Sequence, residues 1–324
     1  MMKPLQLRVL FIILFSFSGL HTLYAQSYKD QFSLELDNDQ YIDPNHDRYY
    51  TAGTFFTLTH AMHHADTGKL VKKIIEYQLG QQIYTPSTAH IYKPSLFDRP
   101  FTGYLFGSVA MNWLYANEDA LKFTAQLGTI GPNSLGEEVQ TGFHKLFKLY
   151  PVGPWYKYGI QKNVIGLNLN LDYKKLIYRN DGGWFDISID PDAELGSTFT
   201  YVDAGAQLRI GELGKFFDSG ITNSRVSSTD NGAQQKEFYI FTEPQFSYVA
   251  YNATIQGGLF THETGPTFGI YHEVYIQQIG LEYSSPRRWS LSYVAFIKTR
   301  EVKSTALGDQ WAALNFAYRF GKVR

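Results

Sequence analysis

Leu167-Asn168-Leu169-Asn170-Leu171-Asp172-Tyr173 is the stretch that decides the fold. Apolar and polar residues alternate without a break, and a period of two sends successive side chains to opposite faces of a strand. The rhythm recurs along the chain. Phe32, Leu34 and Leu36 alternate with Ser33, Glu35 and Asp37, and Phe185, Ile187 and Ile189 with Asp186, Ser188 and Asp190. Trp289, Leu291 and Tyr293 alternate with Ser290 and Ser292, and Leu314, Phe316, Tyr318 and Phe320 with Asn315, Ala317 and Arg319. Two architectures share this pattern. A soluble sandwich buries the apolar face and wets the polar one; a transmembrane barrel turns the apolar face to lipid and the polar face to its lumen. Three features favour the barrel. Aromatic residues make up 16% of the chain and often fall near strand ends, as interface girdles do. Several strand candidates reach the length needed to cross a bilayer at a tilt. The chain also closes on an aromatic-rich strand ending at Phe320, although Gly321 to Arg324 follow it.

The expected fold is all-β, a transmembrane antiparallel β-barrel of about twelve strands with a short extracellular helix. The strands are expected near 31–38, 50–60, 73–83, 101–115, 120–130, 164–176, 183–192, 197–210, 237–251, 271–284, 287–300 and 310–320. No internal repeat or second domain is visible. The segment Ile221 to Gln235 is rich in Ser, Thr, Asn and Gly and reads as a mobile loop. One helix is expected over about 134–148, with Ser134 as its N-cap and Glu137 completing a capping box. It lies between the fifth and sixth strands, so with short periplasmic turns it falls on the extracellular side.

Residues 1–25 read as a secretory signal, leaving 26–324 as the barrel domain. Lys3 and Arg8 supply the positive region, Val9 to Leu20 the apolar run, and Leu23-Tyr24-Ala25 the cleavage site before Gln26. No later segment offers the roughly 20 apolar residues of a spanning helix. The absence of cysteine excludes disulfides and thiolate metal sites. A formal charge of −1 excludes a globally basic nucleic-acid binder.

Three constellations can carry chemistry. Gln140 and His144, four residues apart on the helix, project from one face and suit a general base with a polar neighbour; an ordinary amphipathic helix with a surface histidine is the alternative. Asn38 and Asp39 end the first strand, followed by Asp43 and Asp47-Arg48-Tyr49-Tyr50-Thr51-Ala52-Gly53. Such oxygen-rich clusters suit hard cations such as calcium, with backbone carbonyls of Thr51 and Gly53 able to face the same point; a polar hairpin tip without metal is the alternative. His60, His63, His64 and Asp66 form a third group, at the opposite end of the second strand, better read as solvated turn histidines than as a zinc or nickel site. Ser134 lies ten residues before His144, roughly 15 Å along a helix, which is too far for direct activation as a nucleophile.

These residues resemble a known family. Asn38-Asp39, Asp47-Arg48-Tyr49-Tyr50-Thr51-x-Gly53, Gly80-Gln-Gln-Ile-Tyr-Thr-Pro86, Asp98-Arg-Pro-Phe-x-Gly-x-Leu105 and Gly131-Pro-x-x-x-Gly-Glu-Glu-Val-Gln-x-x-x-His144 are similar to motifs of the outer-membrane lipid A 3′-O-deacylases, in the same order over residues 31–170. The resemblance implies a monomeric twelve-stranded outer-membrane barrel that hydrolyses the 3′-linked acyloxyacyl ester of lipid A, in lipopolysaccharide, and requires calcium. It makes His144 the general base, Gln140 its orienting neighbour, and Asp39 the calcium ligand, helped by Asn38 and by groups near Thr51 and Gly53. Arg48 and Lys93 are the expected substrate contacts. Some positions depart from the family. Ile91 stands where some relatives have a lysine, with Lys93 two positions later. Tyr150 stands where some have an acidic residue, and the Gly-Trp-x-x-Gln segment becomes Gly153-Pro-Trp-Tyr-Lys-Tyr-Gly-Ile-Gln161. The competing readings are a non-enzymatic barrel, porin-like or structural, and an outer-membrane phospholipase.

Overall fold

Leu167, Leu169 and Leu171 are 57%, 43% and 48% exposed, whereas Asn168 between them is 1% exposed. The apolar face therefore points outward and the polar face inward, the reverse of a soluble protein and the arrangement a bilayer requires. The computed structural model describes residues 27–44, 48–64, 68–88, 97–230 and 234–323. Residues 1–25, expected to be a secretory signal, and Asp47, Asp66 and Lys93 lie outside the described residues.

Twelve strands form in the expected places: β1 (Tyr28–Asn38), β2 (Tyr49–Met62), β3 (Leu70–Thr85), β4 (Thr102–Tyr115), β5 (Asp119–Ile130), β6 (Val164–Arg179), β7 (Phe185–Gly196), β8 (Phe199–Glu212), β9 (Glu237–Asn252), β10 (Glu273–Ser284), β11 (Trp289–Lys298) and β12 (Asp309–Lys322). Each pairs antiparallel with its sequence neighbours, and β1 pairs with β12 from Tyr28↔Lys322 to Asn38↔Ala312, closing the barrel. The described helices comprise α1 (Gly136–Phe147), α2 (Trp155–Tyr158) and α3 (Ala253–Gln256), besides short 3₁₀ turns. With an even number of strands, both described ends of the chain meet at one rim. The connections at that rim are short except for the one between β8 and β9, and the long connections, α1 included, rise from the other. Short turns mark the periplasmic end of such barrels and long loops the extracellular one.

The β8–β9 connection is not the mobile loop its composition suggested. Asn223 hydrogen-bonds both Gln31 and, at 2.8 Å, Thr59. Asn112 donates to Thr222 O at 3.2 Å, and Lys72 Nζ to Ser224 O at 2.8 Å. Arg225, 2% exposed, pairs with Glu237 at 3.1 Å. These partners belong to β1, β2, β3, β4 and β9, so the segment lies across the lumen at the periplasmic end. Polar, small residues suit it because the wall it meets is itself polar; the composition that reads as solvated loop is equally that of a plug in a polar lumen. At the other end Tyr49, Ile255, Ile270, Val302 and Ala306 form an apolar cluster joining the β9–β10 and β11–β12 loops to the wall. Arg99, wholly buried, pairs with Glu301, donates to Thr254 Oγ1 at 2.8 Å and stacks on Tyr84. Burial alone would raise the Glu301 carboxyl, but Lys298 and Arg99 outweigh it and hold it at about 2.

A segment held across the lumen in this way is expected to block the passage of solutes. In planar bilayers the intact protein is expected to show no ion conductance, and replacing residues 216–234 by a short Gly-Ser turn is expected to open a channel. Faster migration unheated than boiled on a detergent gel verifies that each variant is a closed barrel. Steady conductance from the intact protein would contradict the plug.

Candidate active site on the outer wall

The β5–β6 connection builds the site. Gly131, at φ 93°, turns the chain away from the barrel, a 3₁₀ turn follows at Pro132–Ser134, and Leu135, at φ 58°, leads into α1. The expected capping box does not form. Ser134 Oγ donates to Gly131 O at 2.6 Å instead of accepting from the helix, and the helix begins at Gly136. The cause is a close approach to the wall: a Cβ on Gly103 would lie 3.0 Å from Gly136 Cα and overlap the buried Ser134 hydroxyl. Glycine at both positions lets helix and strand backbones meet, and Ser134 is wedged in the contact. On β4, Val109 faces outward while Tyr104 and Phe106 are buried inward, so Gly103 belongs to the outer face. Helix α1 therefore packs outside the barrel, against β3 and β4.

Gly136, Gln140 and His144 are the buried residues of α1, one stripe at intervals of four against the wall. Beneath them Ile83, Phe101 and Trp155 form an apolar cluster, with Ala52, Phe97, Tyr150, Val152 and Tyr158 packed on it. That cluster orients both polar side chains. His144 Nδ1 lies 2.8 Å from the Tyr150 carbonyl oxygen, and its ring stands edge-on to Tyr150 with centroids 4.7 Å apart. A carbonyl only accepts, so Nδ1 carries the proton and Nε2 of the neutral ring carries the lone pair. Trp155 Nε1 donates to Gln140 Oε1 at 3.0 Å, which fixes the amide so that Nε2 points the other way. Among the described residues that buried Nε2 has no hydrogen-bond partner, so it offers two donor hydrogens beside the imidazole. The roles of Trp155 and the Tyr150 carbonyl were not legible in the sequence. Tyr150 meets the imidazole through its backbone, and Trp155 lies in the altered Gly153-Pro-Trp segment, where an indole beside a buried glutamine was the available signal.

The first strand enters from the side. Asn38 pairs with Ala52, Ala52 with Ile83, and Ile83 with Gly103, a single row on the outer face of β1 to β4. Three strand spacings make that row about 14 Å long. Ala52, next to Asn38, touches the same cluster that holds Trp155 and Tyr150. Asn38 Oδ1 accepts from Gln40 N at 2.8 Å, capping the 3₁₀ turn Asp39–Tyr41. Asp39, 2% exposed, accepts from the Arg48 amide at 2.6 Å through Oδ2. Arg48 thus meets Asp39 by its backbone, while its guanidinium lies over the Tyr49 ring. Thr51, at a bulge between Tyr50 and Ala52, shares a hydroxyl hydrogen bond of 2.6 Å with Thr85. Gly53 faces the lumen, where a Cβ would lie 3.1 Å from Asp37 Oδ2, itself bonded to the Tyr50 hydroxyl at 2.7 Å. The pleat puts the Asn38 side chain on the outer face and the Cα hydrogens of Gly53 toward the lumen; Gly53 pairs with Asp37, one rung from the Asn38↔Ala52 pair, and has only its backbone carbonyl to offer a ligand there.

Amide, carboxylate and backbone oxygens around Asn38 and Asp39 are the donor types a hard cation takes. Among the described residues no group of three or more His, Cys, Asp or Glu side chains is arranged to hold a metal, so such a cation draws on amide and backbone oxygens as well. Two histidines at the end of β2 are engaged by the protein itself: His60 with Asp30 across the β1–β2 ladder at 2.6 Å and His64 with Leu70 O at 3.2 Å. The Asp98-Arg99 motif is structural. Asp98 accepts from the Tyr49 hydroxyl at 3.1 Å and from Ser87 N at 2.8 Å, beside the Arg99 pairs above.

A family model described as outer membrane protein LpxR matches residues 9–320. The chain belongs to the LpxR family of outer membrane proteins. LpxR from Salmonella typhimurium has the same fold, with a TM-score of 0.71 at 22% identity over 90% of this chain and 100% of that one. The β domain of the Bordetella autotransporter BrkA and the KdgM porin are more distant, with TM-scores of 0.45 and 0.40 at 6% identity, covering 91% and 90% of this chain and 100% and 99% of theirs. No curated protein matches. Membership in LpxR agrees with the barrel, its outward apolar face and the external helix.

The His144 tautomer is directly testable. In selectively ¹⁵N-histidine-labelled protein in micelles, the resonance lost in His144→Gln is expected to show a protonated Nδ1 and an unprotonated Nε2 at neutral or higher pH. The opposite tautomer would remove the geometric basis for His144 as a base.

Proposed function

We propose that this LpxR-family protein is a calcium-dependent lipid A deacylase that hydrolyses the 3′-linked acyloxyacyl ester at the outer leaflet. The observation that carries the reading is the His144 imidazole held by the Tyr150 carbonyl, buried between α1 and the outer wall. A polar catalytic pair on the outside of a barrel has access to a lipid ester and none to a solute crossing the lumen. His144 Nε2 takes a proton from water as its oxygen attacks the ester carbonyl. Gln140 Nε2 donates a hydrogen bond to oxygen that gains negative charge in that attack. The protonated imidazole returns its proton to the departing sugar 3′-oxygen, leaving a free carboxylic acid and a sugar hydroxyl. Asn38 and Asp39 would hold calcium, which when bound supplies positive charge that polarises the ester carbonyl. Arg48, and Lys93 outside the described residues, would meet the phosphates of the substrate. The plugged lumen disfavours the porin-like alternative.

His144→Ala is expected to lower ester hydrolysis by roughly 10²–10⁴-fold while leaving heat-modifiable migration unchanged. Trp155→Phe keeps the ring and removes one hydrogen bond, so a loss of about tenfold or less is expected. Full activity in folded His144→Ala would exclude the mechanism.

Asp39→Ala, or chelation of calcium in the wild type, is expected to stop release of the 3′-acyl group, with excess calcium restoring only the chelated wild type. Mass spectrometry of lipid A from cells expressing each variant reads the outcome, with phospholipids followed in parallel. Intact lipid A with accumulating lysophospholipid would assign a phospholipase instead, and the absence of both products would leave a non-enzymatic barrel.

A further inference from the structure

Helix α1 has three flanks, not two. At 100° per residue, Leu135, Val139, Phe143, Leu146 and Phe147 fall within one arc of about 120°. The wall-facing stripe of Gly136, Gln140 and His144 borders that arc, and Glu137, Glu138, Thr141, Lys145 and Lys148 take the arc beyond the wall. The apolar flank is uncovered: Leu146 is 74% exposed, and Leu135, Val139, Phe143 and Phe147 are each about half exposed. Tyr156 of α2 adds a ring that is 76% exposed. A water-facing loop has no use for five large apolar side chains on one helix flank.

The wall beneath supplies the occupant. Tyr77 and Leu79 of β3 and Val109 of β4 are 50%, 55% and 46% exposed on the outer faces of the strands that α1 packs against, and Leu127 of β5 and Ile165 of β6 continue that face at 62% and 75%. The lipid-facing belt of the barrel therefore runs up to the helix. Lys145, Lys148 and Lys157 are exposed, and none of the ion pairs among the described residues involves them.

We infer that α1 lies in the plane of the membrane within the outer leaflet, its apolar flank among acyl chains, its polar flank toward the headgroups, and its third flank closing the site against the wall. An interfacial helix of this kind is apolar on one side and polar on the other; the polar flank of α1 carries Glu137 and Glu138 at its start and Lys145 and Lys148 at its end. Because the site stripe borders the apolar one, Gln140 and His144 sit at the boundary between acyl chains and headgroups, the depth at which lipid esters lie. The inference rests on the outer-membrane location and not on the deacylase reading.

The chain has no cysteine, so single spin labels report cleanly. Leu146→Cys, Phe143→Cys and Thr141→Cys are labelled in the full-length protein in liposomes containing anionic lipid. Leu127→Cys serves as the lipid-exposed reference and Asn117→Cys, in the β4–β5 turn, as the water-exposed one. At Leu146 and Phe143 the ratio of oxygen to nickel-chelate accessibility is expected to match Leu127 and exceed Asn117 severalfold, with Thr141 close to Asn117. Heat-modifiable migration verifies each fold. Labels at Leu146 and Phe143 as open to the nickel chelate as Asn117 would place the helix in water and overturn the inference. A lipid-buried helix in a protein without lipid A hydrolysis would leave the inference standing and remove the deacylase reading alone.

Discussion

Closure of the sheet by β1 and β12 is the constraint on which everything else depends. In hydrocarbon an unpaired backbone N–H or C=O costs several kcal/mol, and an open sheet would present a whole edge of them. The β1–β12 ladder runs from Tyr28↔Lys322 to Asn38↔Ala312 and removes that edge. It also fixes where β1 ends. Asn38 makes the last rung with both neighbours, so Asn38 and Asp39 are delivered to the extracellular rim at a set height on the wall. The register of β2, β3 and β4 then carries that height across to Gly103, where the helix docks.

The site is built on the outside of this frame because the inside is already occupied. Arg225–Glu237 and the hydrogen bonds of Asn223 and Lys72 fill the periplasmic end, and an apolar cluster with Arg99 holds the extracellular loops together. On the outer face, by contrast, the small residues Ala52 and Gly103 leave room for Trp155 and α1. The polar groups of the site are held from one end each, Gln140 at Oε1 by an indole and His144 at Nδ1 by a backbone carbonyl. Such holding limits the rotamers available and keeps a donor and a base in fixed relation.

Alternation located the twelve strands, and aromatic content and strand length told inside from outside, because they matched a bilayer rather than a sandwich. The stripe of Gln140 and His144 was legible for the same reason: spacing of four on a helix is a local property. What misled was also local. Ser134 and Glu137 have the spacing of a capping box, but the wall takes the serine first. The stretch from Ile221 to Gln235 has the composition of solvated loop, but its partners are Gln31, Thr59, Lys72 and Asn112, more than a hundred residues away in sequence.

The sequence by itself determined the barrel, its apolar exterior and the helix that carries His144, since each follows from periodicity that neighbouring residues impose on one another. Tertiary structure decided which faces meet. It brought the Tyr150 carbonyl to the imidazole and Trp155 to Gln140, and folded the β8–β9 connection into the lumen. Those outcomes depend on strand register and on where a loop returns to the wall, and both are fixed only when distant backbone groups must all be paired in a medium that offers them no water.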